Sequence, residues 1–433
     1  MTSPQTHEPA FDHRWLETLG QWCSRGQKAD TGLVDLYLER RLELRLHIRH
    51  RTRWIEECRT EGTALRTRTG VRHEIVAETG TSPSTLAHLL SDTLDSHDLH
   101  FQRPLPPPDL DAPRGWRDST QAWVEATTLT NATVLLLERR AAIVRPDSWT
   151  EIHTPLLIRL ETSVPGSSSV LATWNHPSLW EWAPLVNPVP QRKPWRPGSG
   201  EHLPVVFTAG TAGVLIHELV GHLLEGDILS RGQSPLENTE AAVVGPPTLS
   251  VTDDPSRFDL PGAFSADDEG IPATRIELLK GGVVCGALCD LFTADELGRP
   301  PGRGRRAAWN SPPVPRMSNL LVQSGQTEPE ALENDLKIGL VISRLGGASV
   351  DPRSGQVIFR VEQGWEVRHG RRRRPLAPFE LTGDILEILR SIDPDLGNDP
   401  TPDWRLGWCL KAGLALPTGS EAPTLLVHSM EVV

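Results

Sequence analysis

Two hydrophobic rhythms alternate along the chain. Residues 11–23 (FDHRWLETLGQWC) space their apolar side chains as a helix does and predict an amphipathic helix. In 32–51, Leu38, Leu42, Leu44, Leu46 and Ile48 alternate with charged neighbours, which predicts strands with one wet face. Residues 62–68 and 71–77 continue that pattern. Residues 82–99 open on Ser-Pro-Ser-Thr and predict a capped helix. An apolar run at 132–137 and a strand-like 155–163 follow. From 272 onward the pattern is short strands and turns. Residues 275–279 and 283–288 flank Gly281-Gly282 and predict a hairpin; 356–363 and 365–369 predict another, with Gly364 at or near its turn.

Two proline-rich stretches punctuate this order. Residues 101–113 (FQRPLPPPDLDAP) predict a linker. Residues 186–200 (VNPVPQRKPWRPGSG) form a connector or a lid, the connector being the simpler reading. A chain of 433 residues exceeds one ordinary core, so two or three domains are expected.

The most informative stretch is 211–230, TAGVLIHELVGHLLEGDILS. Its apolar residues suit a buried helix, yet it carries His217, Glu218 and His222. Buried groups of this kind must be hydrogen-bonded or bound to metal. The two histidines stand five apart, whereas the His-Glu-x-x-His zinc helix spaces them by four. On a regular α-helix five steps leave them about 140° apart, too far round to share one ion. A π-type turn would bring them together, and Gly221 would tolerate the distortion. The spacing therefore predicts a helix that is π-bulged or bent at Val220–Gly221. The competing reading is two unrelated core or capping histidines beside a solvated glutamate.

With its flanks, 217–227 (HELVGHLLEGD) resembles the signature of the TldD/PmbA metallopeptidases, His-Glu-Ala-x-Gly-His-x-x-Glu-Gly-Asp, with Leu219 in the alanine's place. The resemblance extends over 203–216, over Asp267–Gly270 (DDEG), over 304–306 (GRR) with 315–319 (PRMSN), and over 345–347 (LGG), all in the family's order. It is strong across 203–433 and weaker across 30–200. It implies an α+β fold: an N-terminal and central α/β region, 1–202, then a mostly β metallopeptidase domain, 203–433, with a metal-binding helix.

The resemblance also implies a ligand set. His217 and His222 would supply two ligands to one zinc per metal-bearing chain. The family's third is a cysteine near the C-terminus, and 407–413 (GWCLKAG) places Cys409 there. Cys409, Lys411 and Gly413 match that motif; Leu410 and Leu414 depart from it. Imidazole and thiolate both suit zinc. Cys285 and Cys289 compete for the role, although their spacing in a strand-like run favours a structural one.

Glu218 is the expected general base, or else a hydrogen-bond partner of a ligand histidine. Glu225 and Asp227 would orient the helix or its imidazoles, or merely end the helix. Gly346 and Gly347 lie in a stretch that either holds a substrate backbone along a strand edge or turns between strands. The four arginines at 371–374 are an anion patch or, more simply, a solvated turn.

The activity implied is zinc-dependent hydrolysis of unfolded or leader-type peptides, including maturation of peptide natural products. The family resemblance also implies a homodimer, or a heterodimer with a TldD/PmbA paralogue. The alternative is a non-catalytic scaffold or binding subunit of a peptidase heterodimer.

Composition narrows the partners. The formal net charge of −12 argues against nucleic acid. The N-terminal residues lack the basic and apolar regions of a signal peptide, and no 18-residue run is apolar enough to span a bilayer, so a cytoplasmic protein is expected. Five cysteines at irregular positions do not resemble a disulfide framework.

Overall fold

The computed structural model describes residues 11, 13–25, 32–50, 52–69, 72–82, 85, 131–146, 148–155, 157–162, 194–237, 243–334, 336–403, 408–411 and 413–433. The predicted first helix is α1 (His13–Arg25). Its apolar stripe, Leu16, Leu19 and Cys23, packs on Leu36, Leu38 and Val144 of a sheet.

That sheet comprises β1 (Gly32–Arg49), β2 (Thr52–Thr69), β3 (Arg72–Thr79), β4 (Asn131–Arg145), β5 (Ser148–His153) and β6 (Leu157–Thr162). The order is β3-β2-β1-β4-β5, with β6 also on β4, and every pair is antiparallel. The alternation read from Leu42, Leu44, Leu46 and Ile48 buries all four. β2 begins at Thr52, well before the predicted 62. Residues 52–61 are exposed throughout and show no apolar alternation; backbone pairing with β1 holds them. Of the predicted helix at 82–99, Ser82 accepts the Thr85 N–H at 3.2 Å; residues 86–99 and the 101–113 linker lie outside the described residues.

The chain next forms β7 (His202–Phe207), α2 (Thr211–Ile216), a π turn, a 3-10 turn and α3 (Gly226–Leu229). Then come β8 (Val251–Asp253), β9 (Ile276–Lys280), β10 (Val283–Val284), α4 (Leu291–Leu297), β11 (Gly304–Arg305), β12 (Val314–Pro315), β13 (Asn319–Val322) and α5 (Pro329–Asn334). Last are β14 (Ile338–Asp351), β15 (Gln356–Arg368), β16 (Arg371–Pro375), β17 (Phe379–Asp384), α6 (Ile385–Arg390), β18 (Thr401–Pro402), β19 (Trp408–Lys411), β20 (Leu414–Pro417), β21 (Gly419–Ala422) and β22 (Leu425–Val432). The fold is α+β and dominated by strands.

β14, β7, β22, β17 and β15 close on themselves, because β15 pairs back onto β14. Closure removes most free edges. A second sheet, β10-β9-β8-β13-β21-β18, shares one hydrophobic core with this ring; Phe207, Ile342, Phe359 and Leu381 meet Leu279 and Leu320 there. All of α2 is buried in that core.

The Gly281-Gly282 hairpin is present, with φ of 56° and 74° at the turn. The turn predicted at or near Gly364 is not. β15 runs straight through it, and the reversals lie at 352–355 and 369–370. A Cβ on Gly364 would stand 2.3 Å from the Val341 carbonyl oxygen. This glycine serves a close backbone approach in a bulged ladder.

The arginine run forms the edge strand β16. Arg372 pairs with Glu333 at 2.9 Å, and Arg374 pairs with Glu366 at 2.8 Å while covering the Trp195 ring. Residues 186–193 lie outside the described residues, and none of 194–200 lines the cleft described below. Among the described residues no helix is long and apolar enough to cross a membrane.

Candidate metal centre

β7 delivers the chain to the centre of the domain, and Gly210 turns it into α2 with φ 77°. The Thr211 hydroxyl donates to the Ser343 carbonyl at 3.0 Å, tying the helix start to β14. From His217 to Gly221 the helix widens into a π turn, and the His222 N–H donates to the His217 carbonyl five residues back. The predicted widening is where the five-residue spacing requires it. Gly221, however, has ordinary helical angles, φ −57° and ψ −62°. It is required for space, since a Cβ would lie 2.0 Å from the Met317 sulfur.

The wide turn puts the His217 and His222 rings 4.9 Å apart, at 84° to each other. Cys409, on β19, completes the group: potential ligand atoms of His217, His222 and Cys409 all lie within 4.8 Å of one another. The Cys409 Sγ is 3.1 Å from the His222 Nε2. Burial alone would raise the Cys409 thiol, but His217 and His222 outweigh it and hold it well below its usual range. Two imidazoles and a cysteine poised as thiolate form a donor set that suits zinc. Cys285 and Cys289 stay outside this group. Cys285 is exposed; Cys289 is buried, which pushes its thiol up to about 11.

Glu225 falls at a break in the helix, extended at φ −71° and ψ 131°, immediately before α3, and its side chain makes no capping hydrogen bond there. It does more than end a helix. Its Oε2 is 3.1 Å from the His222 Nδ1 and accepts from the Lys411 Nζ at 2.5 Å; its Oε1 faces the Arg316 Nε at 3.5 Å. Burial would raise this carboxyl, yet His222, Lys411 and Arg316 hold it at about 2. Glu225 thereby fixes the His222 ring and leaves Nε2 toward Cys409. Asp227 accepts from the same Lys411 at 2.7 Å.

Arg316 is fully buried. It donates to the Cys409 carbonyl at 2.8 Å and to the Leu414 carbonyl at 3.3 Å, so it grips both strands of the β19–β20 hairpin. Among the described residues that hairpin pairs with no other sheet. Arg316 and Lys411 were legible only as matches within 315–319 and 407–413. The signal that could have given them roles is Glu225, a carboxylate in an apolar stretch that needs cations.

An open cleft of about 660 Å³ borders the cluster. Glu218 lines it and has no hydrogen bond or ion pair among the described residues. Gly346 and Gly347 line its other wall. They lie on β14, not in a turn, at a place where the ladder with β15 slips register.

The motif residues of 267–270 and 304–306 do not reach the cleft. They build a buried seam with the N-terminal sheet. Arg139 pairs with Asp268 at 2.5 Å, and Arg66 bridges Asp35 and Glu269. The Asp268 Oδ2 also accepts the Arg306 N–H at 2.7 Å.

Residues 199–433 match the model of the PmbA/TldA metallopeptidase C-terminal domain. The metalloprotease TldD homolog of Buchnera aphidicola (subspecies Schizaphis graminum) is 32% identical over 230 residues, covering 53% of this chain and 47% of the relative. That of Haemophilus influenzae is 31% identical over 231 residues, covering 53% and 48%. The matches thus span about half the length of these relatives. In fold, TldE from Thermococcus kodakarensis superposes with a TM-score of 0.68 at 13% identity, over 97% of this chain and 99% of that one. A crystal structure from Thermotoga maritima gives 0.69 at 17%, over 98% and 100%. The family model covers more than half of the sequence, and it begins just before the strand that carries the chain into the histidine cluster; the protein belongs to the PmbA/TldD metallopeptidase family.

Proposed function

We propose that the chain is a zinc-dependent peptidase acting on unfolded or leader-type peptides, with 203–433 as its catalytic domain. The observation that carries this reading is the convergence of His217, His222 and Cys409 beside Glu218 at an open cleft. His217, His222 and Cys409 would hold the metal. Bound there, zinc supplies Lewis acidity toward the scissile carbonyl and toward water.

The chain's own groups do the rest. Glu218 takes a proton from the attacking water and returns it to the leaving amine. Glu225 and Lys411 keep His222 and the Cys409 hairpin in place. β7 pairs with β14 only as far as Ile342, so beyond that point β14 keeps a backbone edge, and 346–350 line the cleft. An extended peptide added along this edge would be held by main-chain hydrogen bonds, independent of its sequence. Space beside Gly347 is open, since a Cβ there would meet no atom within 4 Å.

Pairing with a second copy or a paralogue, a cytoplasmic location and a role in peptide natural-product maturation belong to the same proposal. The exposed 52–60 edge of β2, which among the described residues pairs only with β1, supports pairing. The test is Glu218→Gln, assayed on a panel of unstructured peptides with metal analysis of the same preparation. The variant should keep its zinc and lose about 10²–10⁴-fold in turnover. Unchanged turnover would remove Glu218 as the base; loss of zinc would make it a structural residue.

A further inference from the structure

Arg316, Met317 and Ser318 join β12 to β13 and are fully buried. Each of the three bears on the metal centre or its cleft. The Arg316 guanidinium holds the Cys409 and Leu414 carbonyls. The Met317 sulfur lies against the π turn at Gly221. The Ser318 carbonyl accepts the Gly419 N–H at 3.0 Å, and Gly419 lines the cleft.

The three residues belong to no strand, so no ladder fixes them. Their buried backbone groups need partners from elsewhere. Arg305 donates to the Met317 carbonyl. Both ends of the segment depend on Asp253, the last residue of β8. Its Oδ2 accepts the Ser318 N–H at 2.7 Å, and its Oδ1 accepts the Ser318 hydroxyl at 2.5 Å. Oδ1 also accepts from the Arg303 Nε, and the Arg303 carbonyl accepts the Arg316 N–H at 3.0 Å. Asp253 thus holds Ser318 directly and Arg316 through Arg303. Asp253 and Arg303 are both fully buried.

Three donors converge on two carboxylate oxygens. An amide in the same place would offer one acceptor oxygen and set its own N–H groups against a donor. The position therefore calls for aspartate and not for its isosteric amide.

We propose that Asp253 is the residue that positions the Cys409 hairpin and the π turn of the metal centre. It fixes 316–318, and that segment sets both, with the Gly419 wall of the cleft. Its value to the enzyme rests on His217, His222 and Cys409 holding zinc, as proposed above.

Two readouts test the role, one with zinc and one without. Ser318→Ala keeps the backbone N–H and loses only the hydroxyl; Asp253→Asn keeps the shape and loses an acceptor. Both should lower zinc affinity by about 10–100-fold in a chelator competition. In the zinc-free protein Cys409 is buried and should react slowly with iodoacetamide. Both variants should raise that rate about tenfold or more, the worth of one hydrogen bond to a charged group. Mass spectrometry of the Cys409 peptide separates this rate from those of the exposed Cys58 and Cys285. Leu279→Ala is the control. It opens a cavity on β9 in the same core, and should lower stability while leaving both readouts at the wild-type value. If Asp253→Asn does not fold, Ser318→Ala decides alone. Lost stability with unchanged Cys409 alkylation would make Asp253 a packing residue and overturn the proposal. So would zinc affinity that stays at the wild-type value. Faster alkylation in a protein that binds no zinc would uphold the positioning role and remove the zinc reading instead.

Discussion

The Nε2 of His222 lies 3.1 Å from the Sγ of Cys409, although 187 residues separate them. The contact depends on two unrelated devices. The π turn rotates His222 onto the side of His217, and Arg316 with Lys411 docks the β19–β20 hairpin beside it.

That dependence predicts weaker metal binding when the docking groups are removed. Lys411→Met should lower zinc affinity by about 10–100-fold in a chelator competition, the usual effect of losing a group that orients a ligand. The fold should survive, because Lys411 is partly exposed. Arg316→Met should weaken zinc as much or more, and also cost about 3–5 kcal/mol by leaving Glu225 less compensated. Unaltered zinc affinity in both variants would mean that the hairpin needs neither group.

Gly221 gives a second prediction, about stability. With 2.0 Å between a Cβ and the Met317 sulfur, Gly221→Ala should destabilise the protein by about 1–3 kcal/mol in denaturant unfolding. Met317→Ala opens the space. The double variant should therefore cost less than the sum of the two single changes. Strict additivity would place the cause in the turn's backbone instead.

A third prediction concerns the β14 edge. Gly347 has φ 150°, where a side chain is strained. Gly347→Ala should disturb the strand backbone facing the cleft without touching the metal cluster. Zinc content should stay at the wild-type level while KM for peptide rises more than kcat falls. A drop in zinc content would show that this wall supports the cluster rather than the substrate.

Much of this was legible in the sequence, and its limits have physical causes. The five-residue spacing of His217 and His222 demanded a wide turn, because no regular helix brings them together. Alternation exposed β1, because its Leu42–Ile48 face is buried against neighbours. The same rule missed the start of β2, where both faces are wet and pairing alone makes the strand. Gly364 read as a turn, since glycine marks reversals and close backbone approaches alike; only the carbonyl of Val341 distinguishes them. Asp268 and Glu269 gave no hint of their role, because their partners, Arg139 and Arg66, lie in a different sheet far back in the chain. Glu225 was singled out, but its three cationic neighbours come from three separate segments.

The central claim is that one zinc is held by His217, His222 and Cys409. X-ray absorption on the zinc-loaded chain tests it most directly. The spectrum should show one sulfur at about 2.3 Å and imidazole nitrogens at about 2.0–2.1 Å. Cys409→Ser should remove the sulfur shell and most of the bound zinc, while Cys285→Ser and Cys289→Ser leave both unchanged. A zinc shell of nitrogen and oxygen alone, or a sulfur shell that survives Cys409→Ser, would contradict the account.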